Sequence, residues 1–368
     1  MSVRRASRRI MVGGVPVGGG APIPVQSMLN VRTSDVGAAR GQIDALAEAG
    51  AEIVRLSVDS RADAEALRAI VAASPVPLVA DIQFDWRCAL YALDAGAAAV
   101  RLNPGLFPSG GKELAEVAAS VLEHDAAVRV GANAGSIGEA AIRREVEKGL
   151  SRDEALARVL AEKTLEECEA LEKLGVHNLK AALKCSSVPV TVRANMEFAE
   201  RTDIPLHVGV TEAGTLRRGI VKSAAGIGAL LLNGVGDTIR VSLTGDPVEE
   251  VRAGIAILES CGLRPAEPEI VSCPTCGRTE IDLPALVAEV ESIVEKIKAA
   301  KGRMELKKIA VMGCPVNGPG EARDADLGLA GTRSGRVVLF RRGETLGAFP
   351  QAEGLERLRR LILDGSEV

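Results

Sequence analysis

Three cysteines in the C-terminal part of the chain have the spacing of metal ligands. Cys273 and Cys276 form a Cys-x-x-Cys pair, and Cys314 begins a loop rich in glycine and proline. Two thiolates at this spacing reach one metal ion, and the third supplies a further corner of the site. Glu321 is the natural fourth ligand, because this part of the chain has no other cysteine and no histidine. A carboxylate binds iron or zinc less tightly than a thiolate, so this corner is expected to open to a substrate.

The spacing alone does not distinguish zinc from an iron-sulfur cluster. A thioredoxin-like redox pair is a rival interpretation of the Cys-x-x-Cys motif, although the third cysteine favours a metal site. A fourth cysteine, Cys185, adjoins Lys184 at a predicted strand end and is a weaker candidate for a reactive thiol. The remaining cysteines lie in helical patterns and are expected to be buried as small apolar side chains: Cys88, Cys168 and Cys261.

A second group of residues consists of cations placed where predicted strands end. Its five members are Arg55, Arg101, Arg129, Lys184 and Arg240. The same level carries Asp81, Asn103, Asn133, Glu212 and Ser242. Five converging cations repel one another and are costly to bury unless an anion joins them, and arginine forks match phosphate oxygens. The group therefore predicts a substrate with more than one phosphate. The alternative is that each cation pairs with a nearby carboxylate, but only Asp81 and Glu212 are obvious partners.

These residues need a scaffold that brings strand ends together, and the chain has the pattern of one. Short apolar runs alternate with amphipathic stretches from about residue 23 to about residue 261, which is typical of a parallel sheet with crossover helices. Eight such units predict a (β/α)8 TIM barrel, whose active site lies at the carboxyl ends of the strands. An open doubly wound sheet is the alternative, but no glycine-rich dinucleotide or phosphate loop follows a strand. The predicted strands are Ile23–Met28, Glu52–Ser57, Pro77–Ile82, Ala98–Asn103, Ala127–Gly131, His177–Leu183, Pro205–Val210 and Asp237–Leu243.

Segments outside the barrel pattern predict a hairpin before it and a second domain after it. Residues 10–20 alternate valine with Gly-Gly and Val-Pro pairs, as a small hairpin does. Residues 262–268 have the composition of a linker, so the predicted domains are 1–262, the barrel, and 263–368, a smaller α+β domain. The predicted elements of that domain are a strand into Cys273, a helix over 282–300, strands over 307–312 and 336–341, and a final helix.

Composition excludes several classes of protein. The 368 residues are 47% hydrophobic and 26% charged, the balance of a packed globular chain. A net charge of −4 and only 2% aromatic residues argue against nucleic acid as a partner. The uncharged run 10–31 contains glycine and proline throughout, so a membrane helix is not expected, and no signal peptide is evident. We expect a cytoplasmic protein.

Seven segments resemble the bacterial 4-hydroxy-3-methylbut-2-enyl diphosphate synthase family, and the resemblance runs nearly end to end. Two of them, the Ser-Cys-Pro-Thr-Cys-Gly-Arg block and the Asn-Gly-Pro-Gly-Glu-Ala block, are together highly specific. The seven segments are Val25–Met28, Val79–Ile82, Arg101–Gly105, His207–Gly214, Gly236–Leu243, Ser272–Arg278 and Asn317–Ala322.

The resemblance implies a barrel followed by a domain like the halves of sulfite reductase. It implies a 4Fe-4S cluster held by Cys273, Cys276, Cys314 and Glu321, with Glu321 giving way to substrate. Family members open the ring of 2-C-methyl-D-erythritol 2,4-cyclodiphosphate and remove one hydroxyl as water, using two electrons from flavodoxin or ferredoxin. A head-to-tail homodimer is implied as well.

The resemblance also assigns roles to the residues at the strand ends. Asp81 and Glu212 would lie near the reacting carbons, with Glu212 as the acid/base candidate and Glu321 counted with them as catalytic. The implied diphosphate-binding residues are Arg55, Arg101, Arg129, Asn133, Lys184, Arg240 and Ser242.

Two further hypotheses start from the same residues. One is a barrel transferase for a diphosphate ester, similar to dihydropteroate synthase, with structural zinc on the cysteines. The other is a non-catalytic iron-sulfur sensor, which leaves the cationic strand ends unexplained.

Overall fold

The computed structural model divides the chain into two units, Met1–Arg264 and Pro265–Val368. The observed division falls two residues after the predicted one. The structure describes residues 4–83, 85–102, 107, 111–133, 137–265, 268–301, 306–314, 322–332 and 335–364.

The first unit begins with the predicted hairpin, formed by β1 (Ile10–Val12) and β2 (Val15–Val17). Its apolar side chains cluster with residues near the amino-terminal ends of four barrel strands. The hairpin therefore closes that end of the barrel. The cluster contains Ile10, Val12, Val17, Ile53, Val79, Ala99 and Ala127.

Eight parallel strands follow and form the predicted (β/α)8 barrel. Six of them form one sheet in chain order, and the last two pair with each other. Isolated bridges join Ala181 to Leu206 and Val25 to Ile239, so the two sheets meet on both sides and the ring closes. The strands are β3 (Gln26–Met28), β4 (Ile53–Ser57), β5 (Leu78–Asp81), β6 (Ala99–Leu102), β7 (Ala127–Asn133), β8 (Leu179–Lys184), β9 (His207–Val208) and β10 (Thr238–Ile239).

Helices lie between the strands, and polar caps fix where several of them begin. The side chains of Asp35, Ser60, Ser187 and Asp246 each accept a hydrogen bond from a backbone N–H of the helix that follows. Ser151 forms a capping box at the start of the longest of these helices. The helices are α1 (Val36–Glu48), α2 (Arg61–Val71), α3 (Arg87–Asp94), α4 (Lys112–Glu123), α5 (Glu139–Glu147), α6 (Arg152–Lys173), α7 (Val188–Ala199), α8 (Leu216–Leu232) and α9 (Pro247–Ser260).

The alternation of side chains along each strand separates the core from the site. In β7, Val128 and Val130 belong to the main apolar core, which also contains side chains of the surrounding helices. Successive side chains in a strand point to opposite faces, so Arg129 between them faces the interior of the barrel. In β8, Leu179, Ala181 and Leu183 join the same core, and the lysines alternate with them. The barrel interior is therefore lined by cations at this level.

The second unit is the predicted α+β domain, a five-stranded sheet with helices. Its strands lie in chain order, the first three parallel and the rest antiparallel. Apolar residues of both helices and of the sheet form its core. The elements are β11 (Glu269–Ser272), α10 (Leu283–Lys301), β12 (Lys308–Met312), β13 (Leu327–Thr332), β14 (Arg336–Arg341), β15 (Glu344–Pro350) and α11 (Gln351–Asp364).

Two of these strands, β13 and β15, were not expected from the sequence. In β13, Gly328 and Gly331 interrupt the apolar alternation. A Cβ at Gly328 would overlap the ring of Phe340 on the neighbouring strand, so glycine is needed there for cross-strand packing. In β15 most side chains are exposed, as on an edge strand, and the apolar signal is weak.

Candidate active site

Strand register brings the predicted cations together inside the barrel. Asp81 of β5 lies opposite Arg101 of β6, and Arg101 lies opposite Arg129 of β7. Neighbouring residues in register on parallel strands point to the same face, so these three side chains form a row across the interior. We call the five predicted cations, Arg55, Arg101, Arg129, Lys184 and Arg240, the cationic ring.

Asp81 is the counter-ion on one side of the ring. Its carboxylate is 3.3 Å from Arg101 and 3.7 Å from Arg55, and Gln83 donates a further hydrogen bond to it. Burial alone would raise the pKa of Asp81, but the guanidinium groups of Arg55, Arg101 and Arg129 outweigh burial and lower it. Asp81 is therefore ionised and fixes two of the arginines.

Glu250 is the counter-ion on the other side of the ring, and no sequence pattern predicts this role. Its carboxylate is 3.3 Å from Arg240 and accepts hydrogen bonds from Ser27 Oγ and the backbone N–H of Leu243. It lies in the first turn of α9 rather than at a strand end, where Asp81 and Glu212 were the expected anions. Acidic residues are common in first helical turns, so nothing distinguished Glu250 from its neighbour Glu249.

Arg129 and Lys184 contact no carboxylate among the described residues. Arg129 is 3% exposed, and its Nε and Nη1 have no hydrogen-bond partner there. Burial lowers the pKa of Arg129, and Arg55 and Arg101 lower it further. The pKa of Lys184 is lowered by burial and by Arg129, Arg240 and Arg55. Among the described residues, five cations thus share two carboxylates, and this excess of positive charge suits a multivalent anion.

Two glycines leave room for the ring. A Cβ at Gly131 would lie 2.9 Å from Arg101 Nε, and a Cβ at Gly209 would lie 2.9 Å from Lys184 Nζ. Real Cβ atoms essentially never approach other atoms so closely, so these glycines allow Arg101 and Lys184 to lie across the neighbouring strands.

The structure describes fewer contacts for the remaining predicted residues of the barrel. Glu212 is exposed in the loop after β9, with φ +51°, a left-handed conformation that is rare for residues other than glycine. Ser242 is half-buried after β10. Asn133 ends β7, but its side chain lies outside the described part of the structure, as does all of Asn103.

A layer of polar residues lies deeper in the barrel than the predicted strand ends. Gln26, Lys180 and His207 are each at most 1% exposed. The amide of Gln26, the Nζ of Lys180 and both ring nitrogens of His207 have no hydrogen-bond partner among the described residues. A signal was present in the sequence: Lys180 precedes Lys184 by two alternations of the strand, so both side chains face inward.

The cysteines of the second unit lie at one edge of its sheet. Ser272 of β11 lies opposite Val311 of β12, so Cys273 and Cys314 follow neighbouring parallel strands. The backbone N–H of Gly313 donates to Cys273 Sγ at 3.2 Å. Thr279 Oγ1 accepts a hydrogen bond from the N–H of Cys276, and the N–H of Thr279 donates to the Cys276 carbonyl, so a turn lies directly after the Cys-x-x-Cys segment.

Glu321, the fourth predicted ligand, lies outside the described residues. Within the described ranges, no three cysteine, histidine or carboxylate side chains are already grouped as a metal site. Cys273 is half-buried, Cys276 exposed and Cys314 buried, and all three are free thiols. The donor types and the hydrogen bond to Cys273 fit an iron-sulfur cluster, whose sulfur ligands commonly accept backbone N–H groups.

The prediction for the helical cysteines is confirmed, since Cys88, Cys168 and Cys261 are buried. Burial raises the pKa of each thiol, which makes them poor nucleophiles. Cys185 is also buried, and its sulfur accepts a hydrogen bond from the backbone N–H of Ser187.

Comparison with known families decides the relationship. A model described as the GcpE TIM-barrel domain matches residues 7–255, and one described as the GcpE protein C-terminal domain matches residues 269–364. The chain belongs to the GcpE family. The two matches cover one unit each, and the resemblance noted from the sequence motifs is thereby confirmed.

Curated GcpE-family relatives match over nearly the whole chain. Proteins named 4-hydroxy-3-methylbut-2-en-1-yl diphosphate synthase (flavodoxin) from Geobacter sulfurreducens and Aquifex aeolicus are 47% and 46% identical. The matches cover 97% and 98% of this chain and 97% of each relative. A protein of the same name from Maridesulfovibrio salexigens is 48% identical over 93% of this chain and 92% of its own.

The helices of the described residues contain no apolar stretch of the length that a membrane span requires.

Proposed function

We propose that this protein performs the reaction for which its relatives are named. It opens the ring of 2-C-methyl-D-erythritol 2,4-cyclodiphosphate and, with two electrons, releases 4-hydroxy-3-methylbut-2-enyl diphosphate and water. Flavodoxin, named with the relatives, or ferredoxin supplies the electrons. The observation that carries the proposal is the cationic ring: three of its cations are buried and two half-buried, yet the five share only two carboxylates among the described residues.

The ring binds the diphosphate in this proposal. Asp81 and Glu250 hold Arg55, Arg101 and Arg240 in place, while Arg129 and Lys184 have charge to spare for phosphate oxygens. Arginine forks bind phosphate through two parallel hydrogen bonds, and burial strengthens each of them. The proposed binding residues are Arg55, Arg101, Arg129, Asn133, Lys184, Arg240 and Ser242.

Glu212 is the proposed acid/base group. Its left-handed backbone lies in a loop that a hydrogen bond from Thr244 N to Gly214 O ties to the end of the barrel. Strained residues of this kind cluster at functional sites. The Glu212 carboxyl would donate a proton to the hydroxyl that leaves as water. Asp81, being ionised, accepts hydrogen bonds and orients the neighbouring arginines.

The proposed cofactor is a 4Fe-4S cluster held by Cys273, Cys276, Cys314 and Glu321. When bound, the cluster supplies the electrons of the reduction one at a time. The chain's own contribution is to present Cys273 and Cys314 just after two neighbouring parallel strands. The barrel transferase with structural zinc is not favoured, since the relatives that carry the synthase name match 97% and 98% of this chain. The iron-sulfur sensor would leave the cationic ring without a role.

Metal analysis after anaerobic purification tests the proposal. We expect about four irons and four sulfides per chain and an absorption band that bleaches with dithionite, as for a 4Fe-4S protein. A Cys276→Ala variant should lose the band. One zinc per chain without sulfide would overturn the redox assignment and return the cysteines to a structural role.

A further inference from the structure

Lys180 lies beneath the cationic ring and has no role in the proposed reaction. It is fully buried, and its Nζ has no hydrogen-bond partner within the described ranges. Register places it opposite Arg129, the ring member whose Nε and Nη1 are unpaired there. Barrel interiors are normally filled by branched apolar side chains, so an unpaired lysine at this depth needs a physical explanation.

Among the described residues, the charged and titratable groups near Lys180 lie on or directly after the barrel strands, apart from one at the start of α9. Arg129 faces it from β7 and His207 from β9, and Lys184 lies on its own strand. The ring and its counter-ions complete the interior: Arg55, Arg101, Arg240, Asp81 and Glu250. Asp81 and Glu250 are already paired with arginines, so neither balances a charge on Lys180.

This environment disfavours the charged form of the lysine. Burial lowers the pKa of Lys180 to about 7, and the repulsion of Arg129 contributes. Burial and the surrounding cations lower the pKa of His207 well below its usual range, so the imidazole is neutral. Near neutral pH, Lys180 is therefore the group of this deeper layer whose charge changes readily.

We propose that Lys180 takes up a proton from the solvent when a diphosphate enters the cationic ring, so that ligand affinity decreases as the pH rises above neutrality. The inference rests on the proposed function, because it requires the ring to bind the cyclic diphosphate. Lys180 acts as a positioning residue: once charged, it stabilises the bound anion through Arg129 without touching the reacting atoms.

The direction of the effect follows from linkage. An anion bound to Arg129 cancels the repulsion that Arg129 exerts on Lys180, so the bound state favours the charged lysine. A group that holds its proton more tightly in the complex makes ligand binding strongest at a pH where the group is already protonated in the free protein. For Lys180 this is below about pH 7, and ligand binding weakens above it. The cyclic diphosphate has one strongly acidic oxygen on each phosphorus and is fully ionised near neutral pH, so any proton taken up goes to the protein.

Calorimetry of the full chain tests the inference. The anaerobically purified protein, without a reductant, is titrated with the cyclic diphosphate at pH 7.5 in buffers of different ionisation enthalpy. The slope of binding enthalpy against buffer enthalpy gives the number of protons taken up. Dissociation constants at pH 6.5 and 8.5 complete the measurement.

Two variants of the lysine and one control separate its contribution. Lys180→Met is always neutral and Lys180→Arg always charged, so either variant that folds removes the proton uptake by this residue. Glu167→Gln is the control: Glu167 is half-buried on the outer helix α6, and burial raises its pKa to about 7 as well. Because Glu167 lies outside the barrel interior, this substitution should leave the proton uptake and the affinity unchanged.

When the diphosphate binds, we expect the Lys180 variants to take up fewer protons than the original protein, by more than half a proton per chain. Between pH 6.5 and 8.5, the decrease in ligand affinity should be on the order of tenfold larger for the original protein than for the Lys180 variants. Equal uptake in the original protein and in a folded Lys180 variant would overturn the inference while leaving the proposed function intact. Absence of any binding by the original protein would instead overturn the proposed function itself.

Discussion

Arg129 is held inside the barrel with two of its nitrogens unpaired among the described residues. Taking a guanidinium out of water without a counter-ion costs several kcal/mol, so the residue lowers the stability of the free protein. A diphosphate in the ring offsets that cost. Stability and ligand binding are therefore expected to respond to Arg129 in opposite directions.

Replacing the charge with an apolar side chain tests this opposition. Arg129→Met should raise the free energy of unfolding by about 1–3 kcal/mol, because it removes a buried, unpaired cation. The same variant should lose measurable binding of the cyclic diphosphate. Denaturant unfolding and calorimetry measure the two effects.

Arg61→Met is the matched control, since Arg61 is 75% exposed on α2. Its substitution should change stability by less than about 0.5 kcal/mol and leave binding unchanged. A marked loss of stability in Arg129→Met would contradict the argument, since it would mean that the guanidinium is well paired in the free protein.

The sequence was informative about residues at strand ends and less so about those deeper in the barrel. The cationic ring was predictable because each cation lies in or directly after a short apolar run and because barrel sites lie at the carboxyl ends of such runs. His207 and Gln26 were not singled out, since a polar residue in a short strand has the same appearance whether it faces the interior or caps a turn. The strand register, which cannot be read from the sequence, decides between these two positions.

Helix α9 contributes to the site through a single side chain. Its first turn contains Glu249 and Glu250, which differ in their surroundings: Glu250 is 4% exposed and pairs with Arg240, while Glu249 pairs with Arg252 at the surface. The helix thus positions the ring from outside the barrel wall.

Neutralising the buried carboxylate should release Arg240. Glu250→Gln keeps the shape but removes the charge, so we expect a loss of about 1–3 kcal/mol in unfolding free energy and at least about tenfold weaker diphosphate binding. Thermal unfolding and calorimetry report both. Glu249→Gln, one residue away, should cost less than about 1 kcal/mol and leave the affinity unaltered. If Glu250→Gln, like Glu249→Gln, left the diphosphate affinity unaltered, α9 would have no part in the site.

At the level of elements, the pattern of apolar runs predicted all eight barrel strands, although β9 and β10 are much shorter than expected. The residues after β9 and β10 leave the ladder early and form the loops that carry Glu212 and Ser242. The two missed strands, β13 and β15, lack the alternation because β13 contains glycines, of which Gly328 makes room for Phe340, and β15 is an exposed edge. Tertiary packing, not local propensity, makes them strands.

In the molecule as a whole, the proposed reaction needs both units. The cationic ring belongs to Met1–Arg264 and the cysteines to Pro265–Val368. The family resemblance implies a head-to-tail homodimer, in which the ring of one chain works with the cysteines of the other. This arrangement is a prediction, and it has a consequence that a single-chain arrangement lacks.

Two inactive variants should restore activity to each other if the site is shared between chains. Arg240→Ala removes a ring cation and Cys314→Ala a cluster ligand, and a mixed dimer would still contain one intact ring and one intact set of cysteines in the same site. Random mixing should therefore recover about a quarter of the original activity, because half of the dimers are mixed and each has one complete site of two. Mixing Arg240→Ala with Arg129→Met is the control and should recover nothing, since every ring is then damaged. Verified mixed dimers of the first pair that remain inactive would contradict a shared site and require each chain to complete its own.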